Sequence, residues 1–212
     1  LSSDKNLKPE KSRQFAFGAV FEPIRELSIA LDYWNIQKRD QIGVISGDTL
    51  MAEPGLYQQY RSRVRRTTQG FISFIETPVE NLGELKTSGI DIDVRTSFAL
   101  GGAGRLGASF TGTRVLKFEQ QNGKTGPFTD YLGFSRGGNA PVPEWQHTLA
   151  FDWNLGDWNV ALENVFTKGW TETADVVDTN LGVDAPYQVK NTSRWNLAVS
   201  YKGIKDLKLT VG

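Results

Sequence analysis

The run richest in chemistry is Arg61-Ser62-Arg63-Val64-Arg65-Arg66, flanked by Tyr57, Tyr60, Phe71 and Phe74. Guanidinium groups grip carboxylates and phosphates through paired N–H donors, and aromatic faces attract cations. That combination suits an anionic ligand such as a ferric chelate or an anionic saccharide, so Tyr57, Tyr60, Arg61, Arg63, Arg65 and Arg66 are the ligand-contact candidates. Contact with surface phosphates, or the solubility of a loop, competes for the same residues. Asp91 and Asp93 stand two residues apart on one side of an extended segment, about 7 Å along a strand. An acid and base pair needs a pocket that drives the two pKa values apart, which the sequence does not indicate, so pairing with Arg95 or with neighbouring strands is the expectation. The lone His147 lacks a second His or any Cys for a metal site and is expected in a wall position beside Trp145. Gly101-Gly102-Ala103-Gly104 is not followed by a helical pattern, as a phosphate cradle would be, and reads as a turn. Asp175, Asp178, Asn180 and Asp184 offer oxygen donors at a spacing that fits no calcium-loop signature, and read as a solvated acidic loop. No catalytic residue, metal or cofactor follows from these patterns.

Composition removes further classes. With no Cys there is no disulfide framework, thiol chemistry or iron–sulfur cluster. The 24 Lys and Arg balance the 24 Asp and Glu, which argues against nucleic acid as a partner. At 39% hydrophobic and 23% charged the 212 residues are too apolar for disorder and too polar for a helical membrane protein. The chain starts at Leu1, shows no signal peptide there, and contains no apolar run approaching the roughly 18 residues of a spanning helix.

The elements that position these residues alternate with period two. Phe15, Phe17, Ala19 and Phe21 share a side, as do Leu27, Ile29, Leu31 and Tyr33, then Ile90, Ile92, Val94 and Phe98 against Asp91, Asp93 and Arg95. The pattern repeats in Leu106 to Phe110, Leu149 to Trp153, Trp158 to Phe166, Trp195 to Tyr201 and Leu207 to Val211. The expected fold is therefore all-β, an antiparallel up-and-down meander of about eight strands, each near the 9 to 11 tilted residues that cross a bilayer.

Connection lengths sharpen this. Short turns rich in Gly, Pro and Asp, at about residues 22–26, 99–105, 155–157 and 202–206, alternate with long connections at about 39–84, 118–143 and 168–189. An outer-membrane barrel has this asymmetry, with short periplasmic turns and long extracellular loops. Aromatic residues near strand ends, among them Phe15, Tyr33, Trp145, Trp158 and Trp195, match interfacial girdles. In that arrangement Asp32, Asp91, Asp93, Arg95, Glu163 and Arg194 face the lumen, while Phe17, Ile92, Phe110, Leu162 and Leu197 face lipid. A soluble β-sandwich that binds carbohydrate, and a self-contained small outer-membrane barrel, are the alternatives.

Several short motifs point the same way. Asn6-Leu7-Lys8-Pro9-Glu10-Lys11-Ser12 is similar to an N-x-x-L-x-P-E-x-S pattern and matches its L-x-P-E-x-S part, and Leu31-Asp32-Tyr33-Trp34-Asn35-Ile36 is an aromatic strand that carries Asp-Tyr. Asn81-Leu82-Gly83 leads to Thr87-Ser88-Gly89-Ile90-Asp91-Ile92, preceded by Ile75-Glu76-Thr77-Pro78, and Pro143-Glu144-Trp145 opens a later strand. In order and spacing these resemble the late barrel strands of TonB-dependent outer-membrane receptors, over residues 1–212. The resemblance implies a 22-stranded barrel of which this chain is the C-terminal portion, in the outer membrane of a Gram-negative bacterium. It implies a plug domain and a TonB-engaging segment outside these residues, and a closing strand after Gly212. The implied activity is import of a scarce nutrient, a ferric siderophore, cobalamin or a glycan, with energy from TonB and no covalent catalysis. The implied partners are outer-membrane lipid and lipopolysaccharide, the plug, TonB, and a small-molecule or oligosaccharide substrate.

Overall fold

The structure is a computed structural model that describes residues 6–52, 54–121, 123–135, 140–172 and 187–212. Its main sheet is an antiparallel meander in chain order: β1 (Lys11–Ile24), β2 (Leu27–Arg39), β3 (Leu85–Ala99), β4 (Arg105–Gln120), β5 (Trp145–Leu155), β6 (Trp158–Thr167), β7 (Thr192–Ile204) and β8 (Leu207–Val211). Most of these strands outrun the alternating stretches of the sequence, with 14 residues in β1 and 16 in β4. Their added ends carry Lys, Arg, Gln and Glu on both sides, so side-chain alternation stops while backbone pairing continues, as in the Lys11–Arg39 pair.

The turns at one end are accordingly tighter than expected. They shrink to residues 25–26, 100–104, 156–157 and 205–206. Pro23 lies within β1, not in the turn, at a register shift between Phe21 and Ile24 where a missing N–H breaks no ladder. Gly104 has φ 86° and closes its turn by accepting a hydrogen bond from Leu100 N–H at 2.7 Å, a backbone conformation that favours glycine.

Register fixes the two faces. Ala19, Leu31, Ile92, Gly112, His147 and Phe166 form one continuous rung across six strands, and Phe21, Ile29, Val94, Phe110 and Leu149 form the next on the same face. The opposite face carries the rung Gly18, Asp32, Asp91, Thr113 and Gln146. The apolar face is largely uncovered, with Phe17 69% and Trp195 57% exposed. All other strands among the described residues are pieces of 2 to 4 residues in the long connections. Among the described residues no second sheet packs on the apolar face as a sandwich requires, and β1 and β8 do not pair as a closed small barrel requires. Both alternatives are thereby set aside.

The buried core lies elsewhere. Ile45, Leu50, Leu56, Tyr60 and Val64 pack together within the first long connection, which is not the open loop that the sequence suggests.

Candidate functional site

The first long connection folds into a small cap. Ser46 Oγ accepts the backbone N–H of Thr49 at 3.0 Å, a side-chain cap that starts helix α1 (Gly47–Ala52). Helix α2 (Pro54–Tyr60) follows, then a 3-10 turn at Arg61–Arg63 and a hairpin of Val64–Arg66 with Ile72–Ile75. Leu50 is fully buried, and Tyr57, Ile75 and Leu82 pack against the same cluster.

The hairpin sorts the basic run into two directions. Val64 pairs with Ile75 on the core side, while Arg65 pairs with Phe74 on the outer side. Arg63 turns inward. Its guanidinium donates to Glu80 through Nη1 to Oε1 at 2.5 Å and Nη2 to Oε2 at 2.9 Å, and stacks on the Tyr60 ring 4.2 Å from its centroid. Glu80 is 1% exposed, and Lys124 Nζ lies 3.4 Å from its Oε2. The bond to Glu80 holds the Arg63 pKa above its ordinary value, so this cation serves the cap's interior.

The same residues tie the first long connection to the second. Lys124 N–H donates to Tyr60 Oη at 3.1 Å, and Gln59 Nε2 donates to Thr125 Oγ1 at 2.7 Å. Gly123 sits so close that an added Cβ would lie 3.0 Å from Leu56 Cδ2 and 3.2 Å from Tyr60 Oη. The two connections therefore meet as one packed unit.

What remains outward is Arg61, Arg65 and Arg66 with Phe71 and Phe74, and Tyr57 is half-buried at their edge. Arg65 pairs with Glu76 at 2.8 Å, and Arg66 donates to Gly70 O at 2.8 Å, which holds the hairpin tip. Arg66 also donates to Tyr57 Oη at 3.5 Å, and this bond, with the charges of Arg66 and Arg61, lowers the Tyr57 pKa below its ordinary value. Phe71 is 72% exposed and Phe74 55%. Of the ligand-contact candidates, then, Tyr57, Arg61 and Arg66 come together, Arg65 stands on the hairpin's other side with Phe74 and Glu76, and Tyr60 and Arg63 lie beneath.

The polar face of the sheet gathers the other candidates. Asp32 and Asp91 are direct cross-strand partners, with Thr113 Oγ1 donating to Asp91 Oδ1 at 2.7 Å. Arg95 Nε lies 2.9 Å from Asp93 Oδ1, the pairing that their spacing suggests. Glu163 accepts from Asn196 at 2.9 Å, and Arg194 lies on the same face one rung along. His147 belongs to the apolar face. Its Nδ1 accepts from Trp145 Nε1 at 2.8 Å, and its ring stacks 4.9 Å from Phe166. Gly101–Ala103 forms a single 3-10 turn. Asp175, Asp178, Asn180 and Asp184 lie outside the described residues.

The short motifs meet at the base of the cap. Asn81 Oδ1 accepts from Lys8 N–H at 2.7 Å, its Nδ2 donates to Lys8 O and Asp40 O at 2.8 Å, and Glu10 Oε1 accepts from Ile42 N–H at 2.7 Å. Glu80 and Lys124 were not singled out from the sequence. Glu80 lies 17 residues from Arg63 in an unpatterned stretch, and no local signal marks either residue.

The chain matches the family model described as TonB dependent receptor-like, beta-barrel, over residues 1–212. Comparison with curated protein sequences gives no match. Among solved structures it is similar to a G324V mutant of the ferric enterobactin receptor of Pseudomonas aeruginosa, with 16% identity, a TM-score of 0.61, and coverage of 96% of this chain and 25% of that one. The siderophore receptor PirA of Acinetobacter baumannii gives 12% identity, a TM-score of 0.57, and coverage of 94% and 26%. The FrpB iron transporter of Neisseria meningitidis gives 12%, 0.56, and coverage of 95% and 26%. The chain thus spans about a quarter of the length of these proteins, and likeness at this identity speaks to the fold.

Proposed function

This chain belongs to the TonB-dependent receptor β-barrel family, and from that premise we propose that it forms part of the wall and outer cap of a receptor that imports a scarce nutrient across a Gram-negative outer membrane. The observation that carries this is the uncovered apolar face, continuous across the strands and backed by a polar face of carboxylates, hydroxyls and amides. Exposed Phe, Trp and Leu in this density suit contact with hydrocarbon, while the paired polar groups suit a lumen filled by a plug. The tight turns then lie on the periplasmic side, and the cap stands outside the cell. Energy from TonB, acting on parts of the receptor beyond these residues, drives import, and the chain catalyses no covalent step.

For the substrate class we propose an anionic chelate such as a ferric siderophore. Solved neighbours are a ferric enterobactin receptor, a siderophore receptor and an iron transporter. The outer end of the cap, with Arg61, Arg66 and Tyr57 together and Arg65, Phe71 and Phe74 exposed on the hairpin, supports the same choice over neutral cobalamin or a neutral glycan, because it offers cations and aromatic faces. The test is binding of ferric chelates to the full-length receptor, followed by tryptophan quenching, with Arg61→Ala and Arg65→Ala. The double variant is expected to bind an anionic chelate roughly tenfold more weakly, mainly through slower association at low salt. Unchanged binding in both variants sinks the substrate reading.

A further inference from the structure

The polar face changes sign along its length. Toward the cap it carries Asp32 and Asp91, direct partners across β2 and β3. Toward the tight turns positive charge gathers. Arg95 stands opposite Ser28, Arg105 opens β4 on the same face as Ser97, and Arg25 lies in the turn between β1 and β2. These three guanidinium groups come from three separate elements, and they line one concavity of about 380 Å³ together with Ser28, Ser97 and Glu26.

Little of this charge is used inside the fold. Arg95 places Nε 2.9 Å from Asp93 Oδ1 and donates from Nη2 to Oδ2 at 3.0 Å, which holds one edge of the guanidinium and leaves Nη1 open. Arg105 donates from Nη1 to Ser97 Oγ at 3.2 Å, and this neutral acceptor orients the group without cancelling its charge. Arg25 is exposed and makes no side-chain hydrogen bond or ion pair among the described residues. Against these three cations the concavity has the single lining carboxylate of Glu26. Asp152, further along the same end, is taken up by the amides of Asn154 and Asn159. Gly107, the cross-strand partner of Ser97, adds no side chain to the floor.

We propose that this concavity is an anion-binding site at the periplasmic mouth of the lumen, and that it takes a small molecule carrying several oxyanion groups, carboxylate or phosphate. Each guanidinium presents a fork that matches such a group, and the hydroxyls of Ser28 and Ser97 add neutral donors beside it. One lone carboxylate would fill a single fork, whereas forks from a turn and two strands around one hollow suit a ligand with several oxyanions. A cleft lined by one sign of charge also raises the local concentration of the opposite sign. The site lies on the face away from lipid and at the far end of the wall from the cap arginines. It rests on the barrel reading above, and it gives an anionic cargo a second foothold where it leaves the lumen.

The experiment uses the full-length receptor in neutral detergent. Arginines are modified with phenylglyoxal, and the rate at each is read by peptide mass spectrometry, alone and with citrate, pyrophosphate or glucose. Arg25 and Arg105 are expected to react in the receptor alone, to react about tenfold more slowly with one or both anions, and to be unaffected by glucose. Protection by citrate only, or by pyrophosphate only, names the oxyanion that the site prefers. Arg105→Gln should abolish the protection of Arg25, Arg105→Lys should keep part of it, and Lys202→Gln/Lys205→Gln in another tight turn should keep all of it. Unchanged rates with both anions overturn the proposal, and wild type alone decides this if a variant fails to fold. Equal protection of Arg65 on the cap overturns it too, since that is a general effect of ionic strength. Arg25 and Arg105 that resist the reagent without any added anion overturn it as well, because another part of the receptor then fills the site. The two earlier readings fail separately: the substrate reading if ferric chelates leave Arg61 and Arg66 unprotected, and the barrel reading if the receptor is soluble without detergent and shows no heat-modifiable migration.

Discussion

The wall and the cap solve opposite problems with the same residue types. In the wall, Phe15, Phe17, Trp195 and Leu197 are more than half exposed, and order comes from backbone ladders between long strands. In the cap, Leu50, Leu56 and Val64 are buried in the manner of a water-soluble protein, around helices too short to hold by themselves. A wall that meets hydrocarbon gains little from hiding apolar side chains, whereas a cap that meets water is stabilised mainly by hiding them. The buried acid of the cap, Glu80, is held by two cations from two different connections. The wall's carboxylates make partly exposed contacts within one face.

This contrast can be broken in order of expected effect. Glu80→Ala leaves Arg63 without its partner beneath the cap and should cost the cap about 3 to 5 kcal/mol. Hydrogen exchange at residues 45–64 should accelerate while the heat-modifiable migration of the barrel stays as it was. If migration is lost too, cap and wall are one cooperative unit. Ile92→Arg should do the reverse, costing about 2 to 4 kcal/mol of barrel stability near the membrane midplane. Thr148→Arg on the polar face, close to Asp93 through Thr111, should be nearly silent in the same folding titration. Equal costs at these two positions would undo the assignment of faces.

Smaller changes sharpen it. Tyr60→Phe removes the oxygen that accepts Lys124 N–H and should cost about 1 kcal/mol, seen as faster exchange in both connections and not in the wall. Arg66→Gln should return the Tyr57 pKa toward its ordinary value, read by ultraviolet titration of the phenol. The folded cap favours the Tyr57 phenolate, so this contribution to stability is present above the ordinary tyrosine pKa and is lost as pH falls through the lowered one. No change in the titration would show that the Arg66 contact does not persist in solution.

Much of the wall was legible in the sequence because a strand with one apolar and one polar face makes every second residue apolar, as in Ile90, Ile92 and Val94 against Asp91, Asp93 and Arg95. Strand ends were not, since beyond the apolar band nothing imposes alternation although the ladder runs on through Lys11 and Arg39. The cap was not legible either. Helices of 6 and 7 residues are shorter than two turns and leave no period to read. The basic run looked like one surface because spacing alone does not show a hairpin turning Arg65 out after a 3-10 turn has sent Arg63 in. The Asp93 to Arg95 contact was visible because it is local, whereas the Arg63 to Glu80 contact depends on how a whole connection folds.

The bonds from Tyr60 and Gln59 to residues 124 and 125 bear on protein engineering. Residues 40–84 cannot be transplanted alone onto a related barrel, because the graft would arrive without the backbone that Tyr60 clasps and without the lysine that helps hold Glu80. A working chimaera must exchange residues 121–126 in the same step, so the unit of modular exchange on this surface is a pair of segments.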